Sequence, residues 1–407
     1  MSGRIHYLDW LKVLIVYGIL VFHVSLVFAY TTWLVGNDDK SLVLSAFAGF
    51  CFPWGIPAMF LIAGADAWFG LRSKRAGTFI WTRALRLLVP MAAGLAVLSP
   101  FQRFVTSHNP PPPLSELPAF YASFFRSMTF EPVPEWISRY WLHLWFLGYL
   151  FAITAFCVPL LGWMRRRGGA RLVAACLRIG RIPRASMLIL GIPLLLSQAI
   201  LRPIFPAYQG WADIATYTFV FAMGAILFGD RHFEAAIKGQ IQWILTAGML
   251  SAIALGVFMG SGGYRLVYTL AWGTDVWAWN LAVLYLGIRW LNFPSRALDY
   301  ARESVLPFYV IHHPVVLVLA SFIVTWQLGL WPKFTVILLL AFAATLLVYE
   351  LGVRRWRVTR ALFSLGPRVP RRTGLPALET DRPPLDAHDG GIETWQSQRS
   401  FVRGSRA

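Results

Sequence analysis

Polar and charged residues along this chain are not interspersed every few positions. They gather into short segments that separate long apolar runs, near 10–30, 42–70, 84–101, 141–163, 186–201, 213–229, 241–259, 266–288, 305–328 and 334–352. About twenty apolar residues rising 1.5 Å each match a hydrocarbon core roughly 30 Å thick. The pattern therefore predicts an all-α polytopic membrane helix bundle of about ten transmembrane helices. The second run is overlong and contains Gly49, Pro53, Gly55, Pro57 and Gly64, so a kinked or broken helix is expected there. The fifth run is the shortest. No internal repeat is visible, which weakens an inverted-repeat transporter reading without excluding it.

Charge assigns a side to each loop. Ten crossings place both termini together, and 30 of the 37 Lys and Arg then fall in the segments on that side, against 7 opposite. Without the residues from 353 onward the split is still 19 to 7. Cationic loops stay in the cytoplasm, so both termini are expected there. The longest outer loop, Gln102 to Tyr140, holds Pro110–Pro113 and then Phe120, Tyr121, Phe124 and Phe125. It predicts an extended segment followed by a short interfacial amphipathic helix.

Composition closes off other classes. Of the 407 residues 57% are apolar and only 14% charged, which excludes a soluble enzyme, a fibre and a disordered chain. A net charge of +18 on a soluble protein would suggest nucleic acid. Here the basic residues sit between apolar runs, so the expected partner is the lipid bilayer, with no nucleic acid. Cys51, Cys157 and Cys176 have neither metal nor CxxC spacing, and no disulfide is expected. Leu11–Tyr30 is too long for a signal h-region and no cleavage site follows, so the first run reads as a span. Residues 1–355 form the expected membrane domain. Residues 356–407, rich in Arg, Pro and Gly, read as a basic, disordered cytoplasmic tail.

Ionisable residues inside the runs need a reason to be there. Lys12 and His23 are eleven residues apart, about three turns plus 20°, so they share one face of the first helix. The rise of about 16 Å puts Lys12 near the cytoplasmic boundary and His23 well inside. A snorkelling lysine and a hydrogen-bonded bundle histidine would look the same. Arg83 and Arg86, three apart at the start of the third run, point one way and suit a bidentate phosphate grip; ordinary positive-inside charge also accounts for them. In the fourth run His143 and Trp145 lie deep enough to shape a sugar-sized pocket or to anchor the interface. His312 and His313 point about 100° apart, so only one is expected to face a shared site. Asp66 is a further buried carboxylate, read as a candidate site group or a partner for a basic residue. No phosphate loop, nucleophile elbow or zinc motif is present, and no metal site is expected. A histidine can take a proton from a hydroxyl near neutral pH. Together with a cationic cytoplasmic mouth, this fits group transfer from a phosphorylated cytosolic coenzyme to an acceptor hydroxyl. It fits a proton-coupled small-molecule carrier less specifically.

Several elements in order resemble the membrane acyltransferase-3 family, the O-acyltransferases of bacterial surface glycans. They are Leu8-Asp9-x-Leu11-Lys12-x10-His23, Phe60-Leu61-Ile62-Ala63-Gly64, and Arg83-x-x-Arg86 with Pro90. His143-Leu144-Trp145-Phe146-Leu147 and Phe308-Tyr309-Val310-Ile311-His312-x-Pro314 are similar to the glucan-modifying branch, which includes periplasmic glucan succinylation. The resemblance covers about residues 5 to 355. It implies a multi-pass enzyme of the bacterial inner membrane with no bound cofactor, using acyl coenzyme A as donor and an extracytoplasmic glycan or similar hydroxyl as acceptor. It gives the general-base role to His23, donor binding to Lys12, Arg83 and Arg86, and the acceptor pocket to His143, Trp145, Tyr309 and His312. Two departures stand out. Position 12 is Lys where Arg is commoner, which removes a bidentate grip, and no hydrolase-like second domain follows, so a two-step relay would need a separate partner protein.

Overall fold

The computed structural model of the chain describes residues 5–108, 111–128, 140–258 and 265–365, and every regular element among them is helical. In chain order these are α1 (His6–Val27), α2 (Leu42–Ser73), α3 (Ala76–Val105), α4 (Leu117–Arg126), α5 (Trp145–Met164) and α6 (Arg167–Gly180). They are followed by α7 (Ser186–Ile189), α8 (Ile192–Leu201), α9 (Trp211–Leu227), α10 (His232–Gly239) and α11 (Ile241–Phe258). The last are α12 (Arg265–Trp290), α13 (Arg296–Ile323), α14 (Leu330–Val348) and α15 (Arg357–Leu362).

All ten predicted runs coincide with helix. Among the described residues seven helices are long and apolar enough to cross a membrane, or eight if α9 and α10, bent by 110°, make one span. With α9 and α10 taken as one span, the difference from ten lies in two places. Residues 186–201 form the short pair α7 and α8, parted near Gly191, where a Cβ would run into the Trp277 ring. The other is α12, long enough at 26 residues but interrupted by Asp275.

The second run does not break. α2 continues for 32 residues through Pro53 and Pro57, both buried. Each proline deletes one rung of the helix at about 3 kcal/mol, a cost that packing on both sides offsets. Its N-terminus is fixed by Ser41, whose Oγ accepts from the Leu44 N–H at 3.3 Å. Gly64 on α2 faces Phe221 on α9, and Gly224 on α9 faces Leu61 on α2; a Cβ at either glycine would overlap the opposite backbone carbonyl. Two helices that close are held by van der Waals contact, because lipid offers no hydrophobic drive between apolar surfaces.

Around this pair α1 packs against α2, α13 and α14, and α3 packs against α5 and α13. Leu245, Met249, Leu250, Ile253 and Val257 on α11 and Leu339, Leu340 and Leu347 on α14 are exposed, as faces turned to acyl chains require. The predicted outer-loop helix is α4, with Phe124 buried and Phe125 exposed. α3 reaches Val105, so Gln102 belongs to a helix and not to the outer loop. Beyond residue 355, α15 is helical and tied back to the bundle by Arg360 Nη1 donating to Glu303 Oε1 at 3.0 Å. Pro110, and the expected disorder of the tail from 366, lie outside the described residues.

Candidate active site

α1 carries one charged cluster near its start and one imidazole cluster near its end. At the start, Lys12 Nζ lies 2.8 Å from both carboxylate oxygens of Asp66 on α2, and 3.5 Å from Asp9 Oδ1 one turn away. Arg83 and Arg86 of α3 lie within electrostatic range of the same Asp66 carboxylate. The Arg83 guanidinium sits 5.3 Å from the Phe79 ring, and Arg86 is exposed. The three cations proposed from sequence as donor-binding residues therefore converge, around an acidic residue that the sequence left without an assigned partner.

Three turns further along α1, His23 meets His312 of α13, with Nδ1 3.1 Å from Nε2. The ring of His313 stands edge-on to His23 at 4.7 Å and face-on to His143 at 4.5 Å, and Trp33 stacks on His23 at 5.8 Å. His143, His312 and His313 are buried, whereas His23 retains part of its surface. Four imidazoles from three parts of the chain thus form one contiguous group. Among the described residues no set of three or more His, Cys, Asp or Glu is arranged to hold a metal ion.

The backbone of α13 explains part of this. Pro314 has no N–H, so the carbonyl of Val310 four residues earlier loses its helical donor. His143 Nε2–H supplies it, at 3.0 Å. The return contact is Tyr309, whose hydroxyl donates to the backbone carbonyl of His143. Gln102 Nε2 donates to Leu98 O at 3.0 Å, which turns its Oε1 toward His313 Nδ1 at 2.5 Å.

Of the four residues assigned to the acceptor pocket, His143, Tyr309 and His312 come together beside His23. Trp145 lies one layer away, against Tyr149 at 5.2 Å, Tyr217 at 5.7 Å and Tyr208 at 5.9 Å, and is joined to the first group through Phe146 and Tyr309. The expectation that only one of His312 and His313 would face a shared site is incorrect. Their rings are 6.2 Å apart and nearly perpendicular, and the group wraps far enough around α13 to take both. Sequence reasoning also missed Gln102 and Trp33. The first was a polar residue at the end of an apolar run, a signal that could have been read; the second lay in a loop and gave none.

A family model described as an acyltransferase domain matches residues 5–350. Glucans biosynthesis protein C of Escherichia coli O157:H7 (strain EC4115 / EHEC) is 23% identical over 387 residues, covering 91% of this chain and 97% of that protein. The protein of the same description from Shigella dysenteriae serotype 1 (strain Sd197) is 23% identical over 386 residues, with the same coverage. No solved structure matches the chain.

Proposed function

This chain belongs to the acyltransferase-3 family of membrane acyltransferases, and from that premise we propose that it moves an acyl group from cytosolic acyl coenzyme A to a hydroxyl of an extracytoplasmic glucan or similar glycan. The observation that carries this reading is the disposition of two clusters on α1: cations around Asp66 at its start, and an imidazole group about 16 Å along it. Lys12, Arg83 and Arg86 offer charge-assisted contacts to coenzyme phosphates. His23, which keeps part of its surface exposed where the other three imidazoles are buried, is the base.

In the reaction the acceptor oxygen attacks the thioester carbonyl carbon while its proton passes to His23. The tetrahedral intermediate then collapses with cleavage of the C–S bond, and the coenzyme thiolate recovers that proton. One thioester is exchanged for one ester with no net proton change. His143, Tyr309 and His312 beside His23, with Trp145 one layer out, are the residues proposed to shape the acceptor side. The relatives named for glucan biosynthesis support a glucan as acceptor. We also assign ten crossings, counting residues 186–201 and α12, with both termini cytoplasmic in a bacterial inner membrane, on the 30-to-7 charge split.

The direct test uses the full chain in nanodiscs with acyl-labelled acyl coenzyme A and a neutral glucan. Coenzyme release matched by label on the glucan is expected. Glucan or donor movement across proteoliposomes without acyl consumption would reject the enzyme in favour of a carrier.

A further inference from the structure

We propose that His312 is a positioning residue: it fixes which nitrogen of His23 carries the proton, and so leaves the other as the base. This rests on the general-base reading of His23 but makes a separate claim about how that base is prepared.

Some atoms in the group have no choice of role. A backbone carbonyl oxygen only accepts hydrogen bonds. His312 Nδ1 lies 2.7 Å from the carbonyl oxygen of Tyr309 and 3.1 Å from that of Phe308, so Nδ1 bears the hydrogen. A neutral imidazole has one N–H, so His312 Nε2 is left with its lone pair. That lone pair faces His23 Nδ1 at 3.1 Å, and the contact is a hydrogen bond only if His23 Nδ1 donates. Neutral His23 then holds its lone pair on Nε2. The direction of the whole chain, from His23 Nδ1–H to His312 Nε2 and from His312 Nδ1–H to the α13 backbone, is set by the helix carbonyls at its end.

The neighbouring imidazoles obey the same rule without completing such a relay. His143 spends its N–H at Nε2 on the Val310 carbonyl, and its buried Nδ1 has no hydrogen-bond partner. His313 Nδ1 donates to Gln102 Oε1. His23 also meets the Ile19 backbone carbonyl one turn back on α1, which likewise calls for an N–H on His23. Among the imidazoles of the group, only His312 joins His23 to the backbone of α13. A partner that selects the tautomer and aims the ring matters greatly for a histidine base, because a base with its hydrogen on the reacting nitrogen cannot accept another. In His312 the acceptor is a neutral ring nitrogen and not a carboxylate, so the relay places no full charge inside the membrane.

Two substitutions separate this role from plain packing. His312→Gln puts Oε1 near the former Nε2 and keeps an acceptor for His23; His312→Phe keeps the ring volume and removes the acceptor. In nanodiscs, His312→Phe is expected to lower kcat by about 10²-fold or more, within the 10²–10⁴ of general-base catalysis, with KM for acyl coenzyme A changed by less than about twofold. His312→Gln is expected to recover kcat to within about tenfold of the parent. ¹⁵N-histidine NMR of the unaltered chain, with the His23 signal identified by its loss in His23→Ala, is expected to show a protonated Nδ1 and a bare Nε2. A proton on His23 Nε2, or a Gln variant as inactive as Phe, overturns the proposal. So does wild-type kcat in the Phe variant while His23→Ala is dead. If His23→Ala itself retains activity, the base reading fails, and the NMR signal still decides the tautomer. Should His312→Phe not fold, the activity of the Gln variant and the His23 resonance decide between the two roles.

Discussion

Lys12 of α1 reaches both carboxylate oxygens of Asp66 on α2, 2.8 Å from each. The side chains keep 21% and 31% of their surface, so solvent screens the pair, and its coupling is expected to be about 1 kcal/mol. A cycle of Lys12→Met, Asp66→Asn and the double variant, read by thermal unfolding in detergent, measures that coupling. A value near zero would mean the two charges are merely neighbours, leaving Lys12 to face the donor alone.

The arginines of α3 carry a different expectation. Arg83→Ala or Arg86→Ala is expected to weaken acyl coenzyme A binding about tenfold to a hundredfold, from loss of a charge-assisted contact of roughly 1.5–3 kcal/mol. Acceptor KM is expected to stay unchanged. Lysine at either position rescues only partly, because a point charge replaces a planar fork. Unaltered donor affinity in a folded double-alanine variant reduces the pair to cytoplasmic charge.

The sidedness proposed from charge is checked by position. A reporter joined after Arg360 is expected to read as cytoplasmic, and a tag between Pro111 and Pro113 to be reached from outside. Both on one side would break the ten-crossing assignment.

At the α2–α9 crossing, Gly64→Ala and Gly224→Ala each push a methyl group into the facing backbone carbonyl. Backbone cannot swing aside as a side chain can, so each is expected to cost about 1–3 kcal/mol and to lower the unfolding temperature. Gly18→Ala, which meets nothing within 4 Å, is the control. Equal stability of all three would show that the helices are not in such close contact.

Much of this architecture was legible in the chain because lipid makes burial simple to read. Apolar runs mark helices whatever their tertiary partners, and the Lys12–His23 spacing fixes a shared face through helix geometry alone. What stayed hidden depends on which helices meet. Asp66 and Lys12 are 54 residues apart, and the pairing of His23 with His312 spans 289. Periodicity within one helix carries no record of either. Of the kink or break expected in α2, the break is absent for the same reason: proline's local cost is visible in sequence, while the packing that lets the helix run through Pro53 and Pro57 is not. Only one of His312 and His313 is expected at the site from sequence, because adjacent helical residues point about 100° apart. A site assembled from α1, α3 and the turn before α5 nevertheless surrounds enough of α13 to receive both rings.

His23 gives the decisive test. In the proposed mechanism it takes a proton from the acceptor hydroxyl, a contribution of typically 10²–10⁴ in rate. His23→Ala is expected to abolish acyl transfer while donor binding, centred about 16 Å away near Lys12, stays nearly intact. His23→Gln keeps a polar group against His312 but cannot accept the proton, and is expected to be equally inactive. A histidine that served only to join α1 to α13 would behave otherwise. Glutamine would then preserve activity, and alanine, leaving His312 Nε2 buried without its donor, would lower protein yield first. Transfer rates and donor affinities of the two variants, measured on equal amounts of folded protein, separate the cases. Full activity in His23→Gln would remove the proton-transfer mechanism and leave the family assignment standing, since that rests on the match over residues 5–350 and not on one side chain.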